Sequence, residues 1–270
     1  MIKLENYEVM GWEHAIRGMR NPMNSWDKSD SIFDVDYGEL GPNDCELMMK
    51  LAKGGSVHAK YRRMITVYVD ITAPLYWWKE FDTYKVGTVA NSCSTMHKIH
   101  EKEFTIEDFS CEHLMDDDPL HFTDSWFPKE ILEMTVKMLN LQRKRYLETK
   151  ELSKHRMEQT THLTYKEVPY ANEIKKYWWQ MIQLLPSSYN QKRTVMLNYE
   201  VLAGIYESRR IHKLDEWGDF CKWIETLPYS DIITGISCDV EEQNGTGSDC
   251  VHDCDTCDDF DCKNTPDKEN

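Results

Sequence analysis

The chain has 270 residues, 40% hydrophobic and 11% aromatic, enough to bury one large core. It carries no apolar run of the ~18 residues that a membrane helix needs, and its opening, MIKLENYEVMGWEH, has no apolar stretch of the export-signal kind. A net charge of −15 argues against a general nucleic-acid binder, and a cytoplasmic protein with reduced thiols is expected.

In chain order, WEHAIRGMR predicts a short helix broken at Asn21-Pro22. Pro42 then stands at a first helical position, with Leu47, Met48 and Leu51 at helical spacing and Gly54-Gly55 as the stop. Arg63 to Ile71 is rich in β-branched and aromatic residues and reads as a strand. Thr72-Ala73-Pro74 reads as a helix cap with proline just inside. A capping box is expected at Thr105 to Asp108. The longest helical pattern runs from Pro128 to about Met157.

A further helix is expected over Tyr170 to Leu185, with Ile174, Tyr177, Trp178, Met181 and Ile182 as its apolar stripe. Arg193 to Leu197 reads as a short strand, followed by helices over Val201 to His212 and Asp215 to Leu227. Strands without regular βαβ units predict an α+β fold with a mostly antiparallel sheet flanked by long helices. Trp77, Trp78, Trp178 and Trp179 are read as core aromatics, and Cys93 as a buried thiol.

From Ser237 on, the composition changes: eleven acids and two lysines give −9. The expected division is a body of residues 1–236 and a disordered acidic tail of residues 237–270. The tail's Cys250, Cys254, Cys257 and Cys262 have a spacing compatible with zinc or an iron–sulfur cluster. Interspersed carboxylates raise thiol pKa values and disfavour the thiolates such a site needs, so no metal is expected.

Motifs of nucleophilic catalysis and phosphate loops are missing: there is no G-x-S-x-G, P-loop or G-x-G-x-x-G. One stretch does carry a pattern. Ala73 to Met96, APLYWWKEFDTYKVGTVANSCSTM, resembles the signature region of flavin-dependent thymidylate synthases. In that family an Ala-Pro opens a helix. Nine residues after the proline comes Arg-His-Arg, then x-x-Ser-x-Asn-Glu-x-Ser-x-Arg. A second stretch, LLPSSYNQKRTVMLNYEVLAGIYESRR, resembles the family's Leu-Pro, strand and Asn-x-Arg-x-Leu run.

The resemblance implies FAD, reduced by NADPH, acting with methylenetetrahydrofolate to convert dUMP to dTMP in a homotetramer whose sites form between subunits. By position it assigns His58, Lys85, Thr88 and Asn198 to the cofactor, and Glu80, Thr95 and Arg209 to the substrate; no catalytic residue is implied. The frame fits without a gap, but residues differ. Thr83-Tyr84-Lys85 stands for the Arg-His-Arg triplet, Glu80 for a glutamine, Cys93 for a serine, Thr95 for an arginine and Glu200 for another arginine. The alternative expectation is a non-catalytic homologue that keeps the fold as a nucleotide-binding or structural subunit.

Overall fold

The computed structural model describes residues 2–33, 38–117, 127–159 and 168–235. The chain divides into units Met1–Ile236 and Ser237–Asn270. The tail and its four cysteine candidates lie outside the described residues.

The centre is a four-stranded antiparallel sheet in the order β1-β4-β6-β5: β1 is Lys3–Met10, β4 Thr66–Pro74, β5 Val89–Ser92 and β6 Asn190–Asn198. β4 and β6 pair from Thr66↔Asn198 to Pro74↔Asn190. Alternation puts Val67, Val69, Ile71 and Ala73 of β4 and Val195 and Leu197 of β6 on the buried face. The opposite face carries Tyr68, Asp70 and Thr194, which are open or half-open to solvent. A separate two-stranded sheet pairs β2, Ile32–Phe33, antiparallel with β3, Gly38–Glu39.

Helices α1, Trp12–Arg20, α2, Pro42–Lys53, and α3, Leu75–Phe81, contribute side chains to the sheet's core. So do α7, Tyr199–Arg209, α8, Asp215–Glu225, and α9, Asp231–Thr234. The remaining helices are α4, Thr95–Lys98, α5, Pro128–Gln159, and α6, Ala171–Leu184. A second cluster packs α5 and α6 against the α4–α5 connection through Leu132, Val136, Leu139, Met181, Phe104 and Phe109. The α+β class with an antiparallel sheet is observed as expected.

Several local readings need correction. Pro74 ends β4 and is the N-cap of α3, not its first helical residue, and Thr72 lies within the strand. The extended pairing of β4 with β6 reaches Pro74 and delays the helix by one residue. Residues Lys60–Met64 form a 3-10 turn, so β4 starts later than Arg63. Cys93 is exposed, because it follows β5, an edge strand whose four residues are all solvent-facing. Trp77 and Trp78 are buried core residues, whereas Trp179 is 39% exposed.

Candidate functional site

The segment Ala73 to Met96 begins inside the protein and ends outside it. α3 buries Trp77, Trp78 and Phe81. Trp77 stacks on Phe81, with centroids 5.0 Å apart, and meets Trp217 of α8 at 4.7 Å. These contacts fix the last turn of α3 against α8. Glu80, in that turn, therefore faces Trp217 and the end of α7.

Asn198 ends β6 and caps α7, its side-chain oxygen accepting the Val201 amide at 3.1 Å. Arg209 lies eleven residues on, about three helical turns away. Its Nη1 donates to Glu80 Oε2 at 2.8 Å, and its Nε donates to the Tyr84 hydroxyl at 2.9 Å. The guanidinium also stacks over Trp217, 4.7 Å from the ring centroid. Trp217 Nε1 donates to the same Glu80 oxygen at 3.0 Å. His212 Nε2 lies 3.5 Å from it. The Leu214 amide donates to His212 Nδ1 at 3.1 Å, which puts the neutral ring's proton on the Nε2 facing Glu80.

Glu80 and Arg209 are thus brought together, and the Thr88 segment approaches Asn198 through Gly87, while His58 and Thr95 lie elsewhere. His58 is exposed in the turn after α2, its amide bonded to the Gly55 carbonyl. Lys85 is exposed in the α3–β5 connection. Thr88 is half-buried, and its Oγ1 is buried without a hydrogen-bond partner. Beside it, Gly87 adopts φ +79°, and a Cβ there would lie 2.9 Å from Asn198 Nδ2, so a side chain is resisted both by strain and by contact. Thr95 sits beyond the other end of β5, where Gln191 Nε2 donates to its hydroxyl at 2.9 Å.

Sequence reasoning missed residues that decide the local electrostatics. Arg193 donates to Asp82 at 2.7 Å and to Gln191 at 3.0 Å, and stacks over Trp78 at 4.1 Å. Arg62 lies 3.7 Å from Glu200. That pair is largely buried, with Arg62 Nε and Glu200 Oε2 lacking hydrogen bonds. Opposite charge on retained neighbours was the available signal, but these partners lie far apart in the chain.

A cleft of about 490 Å³ adjoins Thr95 and is lined by Cys93, Lys98, Lys102, Tyr189, Gln191 and Lys192 among others. Each lysine has an acidic partner: Lys98 with Glu101, Lys102 with Asp108, and Lys192 with Asp70 at 3.1 Å. A smaller cleft of about 310 Å³ includes His113, His212, Asp215 and Glu216. There the Tyr76 hydroxyl donates to Glu216, and burial followed by that hydrogen bond pushes its pKa up. No group of three or more potential metal ligands occurs among the described residues. No described helix is long and apolar enough to cross a membrane.

A search of solved structures finds thymidylate synthase X from Helicobacter pylori, crystallised with FAD and dUMP. The TM-score is 0.50 at 17% identity, covering 86% of this chain and 94% of that one. A second crystal structure, of the flavin-dependent thymidylate synthase from the same organism complexed with FAD and dUMP, gives 0.49 at 17% identity over 86% and 95%. A scan of protein-family models finds no match, and neither does a sequence search of curated proteins. The first likeness shows a shared fold at a distant level.

The donors at the implied flavin positions do not fit a dinucleotide. Its phosphates need several convergent cations or N–H groups. Lys85 is exposed, the Thr83 hydroxyl donates to the Glu80 carbonyl of the preceding helix at 2.7 Å, and Glu200 adds negative charge. The unpartnered Thr88 hydroxyl is the feature that suits a ligand.

Proposed function

We propose that the chain is a non-catalytic relative of flavin-dependent thymidylate synthases, keeping the fold as a binding or structural subunit. The body, residues 1–236, carries that role, with residues 237–270 an acidic appendage. The observation that carries the reading is the ion pair between Arg209 and Glu80 at 2.8 Å. The resemblance gives Arg209 to the nucleotide, and here the chain's own carboxylate takes it. Flavin binding is opposed by the same pattern: Glu200 stands where the family has an arginine, and its charge is met by Arg62.

The enzymatic reading, with FAD, NADPH, methylenetetrahydrofolate and dUMP in a homotetramer, draws support from the likeness of fold and from the uncommitted Thr88 hydroxyl. The two readings separate in one assay. Purified protein supplied with FAD, NADPH, methylenetetrahydrofolate and dUMP is expected to form no dTMP and to leave a thymidine-requiring strain unrescued. Turnover that is lost in Arg209→Ala would overturn the proposal.

A further inference from the structure

One buried carboxylate in the first turn of α2 holds the loop that follows α1. Asp44 is fully buried and accepts from Arg20 Nε at 2.6 Å and from the Ser29 and Ser31 hydroxyls at 2.7 Å each. It also accepts the Asp30 and Ser31 amides at 3.2 Å. Asp30 returns the contact, accepting the Asn43 and Asp44 amides at 3.0 and 3.1 Å. A network so fully satisfied rigidifies residues 29–31.

Between this loop and α1 lies a cleft of about 440 Å³, within the size range of small-molecule sites. Trp26 and Phe33 line it from the loop side, and Glu13, Ile16, Arg17 and Arg20 from α1. Trp26 is 51% exposed, yet its Nε1 donates to Asn21 Oδ1 at 2.8 Å. An indole held by its N–H and half open to solvent offers an apolar surface in a fixed place.

The cations come from the helix. Arg20 is only 4% exposed; its Nε is taken by Asp44, and its Nη1 donates to the Ser25 carbonyl at 3.2 Å. Its Nη2 has no hydrogen bond among the described residues, which leaves a nearly buried guanidinium with a donor to spare. Arg17, one turn earlier, meets Glu13 only at 3.8 Å, with both side chains mostly exposed, a pairing that holds it weakly. Asp44 behind Arg20 and Glu13 beside Arg17 oppose a doubly charged anion. A single carboxylate matches the guanidinium fork without that repulsion.

We propose that this cleft binds a small aromatic carboxylate, with its ring against Trp26 and Phe33 and its charge on Arg17 and Arg20. None of the lining residues is a position that the resemblance gives to flavin or nucleotide, so the proposal rests on neither the catalytic nor the non-catalytic reading. The Asp44 network supplies the preorganisation: the loop is already in place, and binding does not have to order it.

The test titrates the full chain with benzoate, its neutral isostere benzamide, and acetate, which lacks the ring. Calorimetry gives the affinities, and proton–nitrogen correlation spectra follow the tryptophan indole signals. Benzoate should bind at least about tenfold more tightly than benzamide or acetate, the difference that one charge-assisted contact makes. It should also shift the Trp26 indole signal, identified by its loss in Trp26→Leu. Arg17→Met should weaken benzoate about tenfold and leave benzamide unchanged, whereas Trp26→Leu should weaken both. 2-Naphthoate, with more apolar surface to cover, should bind more tightly than benzoate.

No benzoate binding in the millimolar range, equal affinity for benzoate and benzamide, or benzoate binding unchanged by both substitutions would overturn the proposal. Arg17 and Trp26 are both more than half exposed, so each substitution should leave the thermal midpoint close to that of wild type. If either variant fails to fold, the wild-type spectra decide: a benzoate-dependent shift at one indole signal, absent with acetate, supports the site, and unchanged indole signals sink it.

Discussion

The two halves of the segment Ala73 to Met96 behave differently. The first half, α3, buries Trp77, Trp78 and Phe81 against Trp217 and Phe220. The second half, from Lys85 through β5 to Cys93, is mostly exposed on an edge strand. Residues that build the scaffold are constrained by packing on every side, since a core tolerates little change in volume. Residues that would grip a ligand are held only by the ligand's demands. In this chain the buried half keeps its structural role, while the positions that the resemblance gives to arginines, in and around the exposed half, hold Thr83, Lys85 and Thr95.

The contrast can be broken most severely at its buried end. Trp77→Ala should cost ~3–5 kcal/mol, read as a lower denaturant midpoint at unchanged slope. Lys85→Ala, at the exposed end, should stay within about 0.5 kcal/mol of wild type. Equal effects would dissolve the distinction between the halves.

Thiol chemistry sharpens the same contrast. Cys93 is exposed and should be alkylated rapidly under native conditions, whereas Cys221 is buried. Burial first, and Glu225 second, push the Cys221 pKa up to about 11. At pH 7 and at pH 9, Cys221 should therefore stay unmodified until the protein unfolds. Mass spectrometry after timed alkylation reads both.

The junction between the halves is intermediate. Arg209→Met removes a partly exposed ion pair and a stacking contact, and should lower stability by about 1 kcal/mol.

The smallest effect lies on the solvent face of the sheet. Asp70 is held down to about 2 by hydrogen bonds from Thr194, Asn6 and Lys192, in that order. A depressed carboxylate pKa contributes stability above its unfolded value of about 3.9 and loses it as the pH falls towards 2. The stability difference between wild type and Asp70→Asn should thus be constant from pH 7 to 5 and shrink between pH 4 and 2. A difference that grows in acid would contradict the assignment.

Much of the helical frame was legible because its signals are local. Pro42 and Pro128 open α2 and α5 as expected, whereas the Asn198 cap, which starts α7 at Tyr199 rather than Val201, was not read. β1 was not legible. A bulge between Glu5 and Glu8, with Asn6 at φ +51°, breaks the alternation so that Leu4 and Val9 fall out of a period of two. β5 was equally silent, since an edge strand of four exposed residues needs no hydrophobic pattern.

At the candidate site, the departures were visible as residue types, but their consequences were not. Glu80 for glutamine reads as a lost donor. Its role as partner to Arg209, Trp217 and His212 depends on contacts across more than 120 positions. Glu200 likewise reads as a charge reversal until Arg62 is seen beside it.

The central claim is that this chain keeps the fold and has given up the flavin. The visible absorption spectrum of the purified protein, before and after equilibration with excess FAD and gel filtration, tests it most directly. A colourless protein that carries no flavin through the column is the predicted result. A yellow protein holding FAD in a fixed ratio to the chain would contradict it.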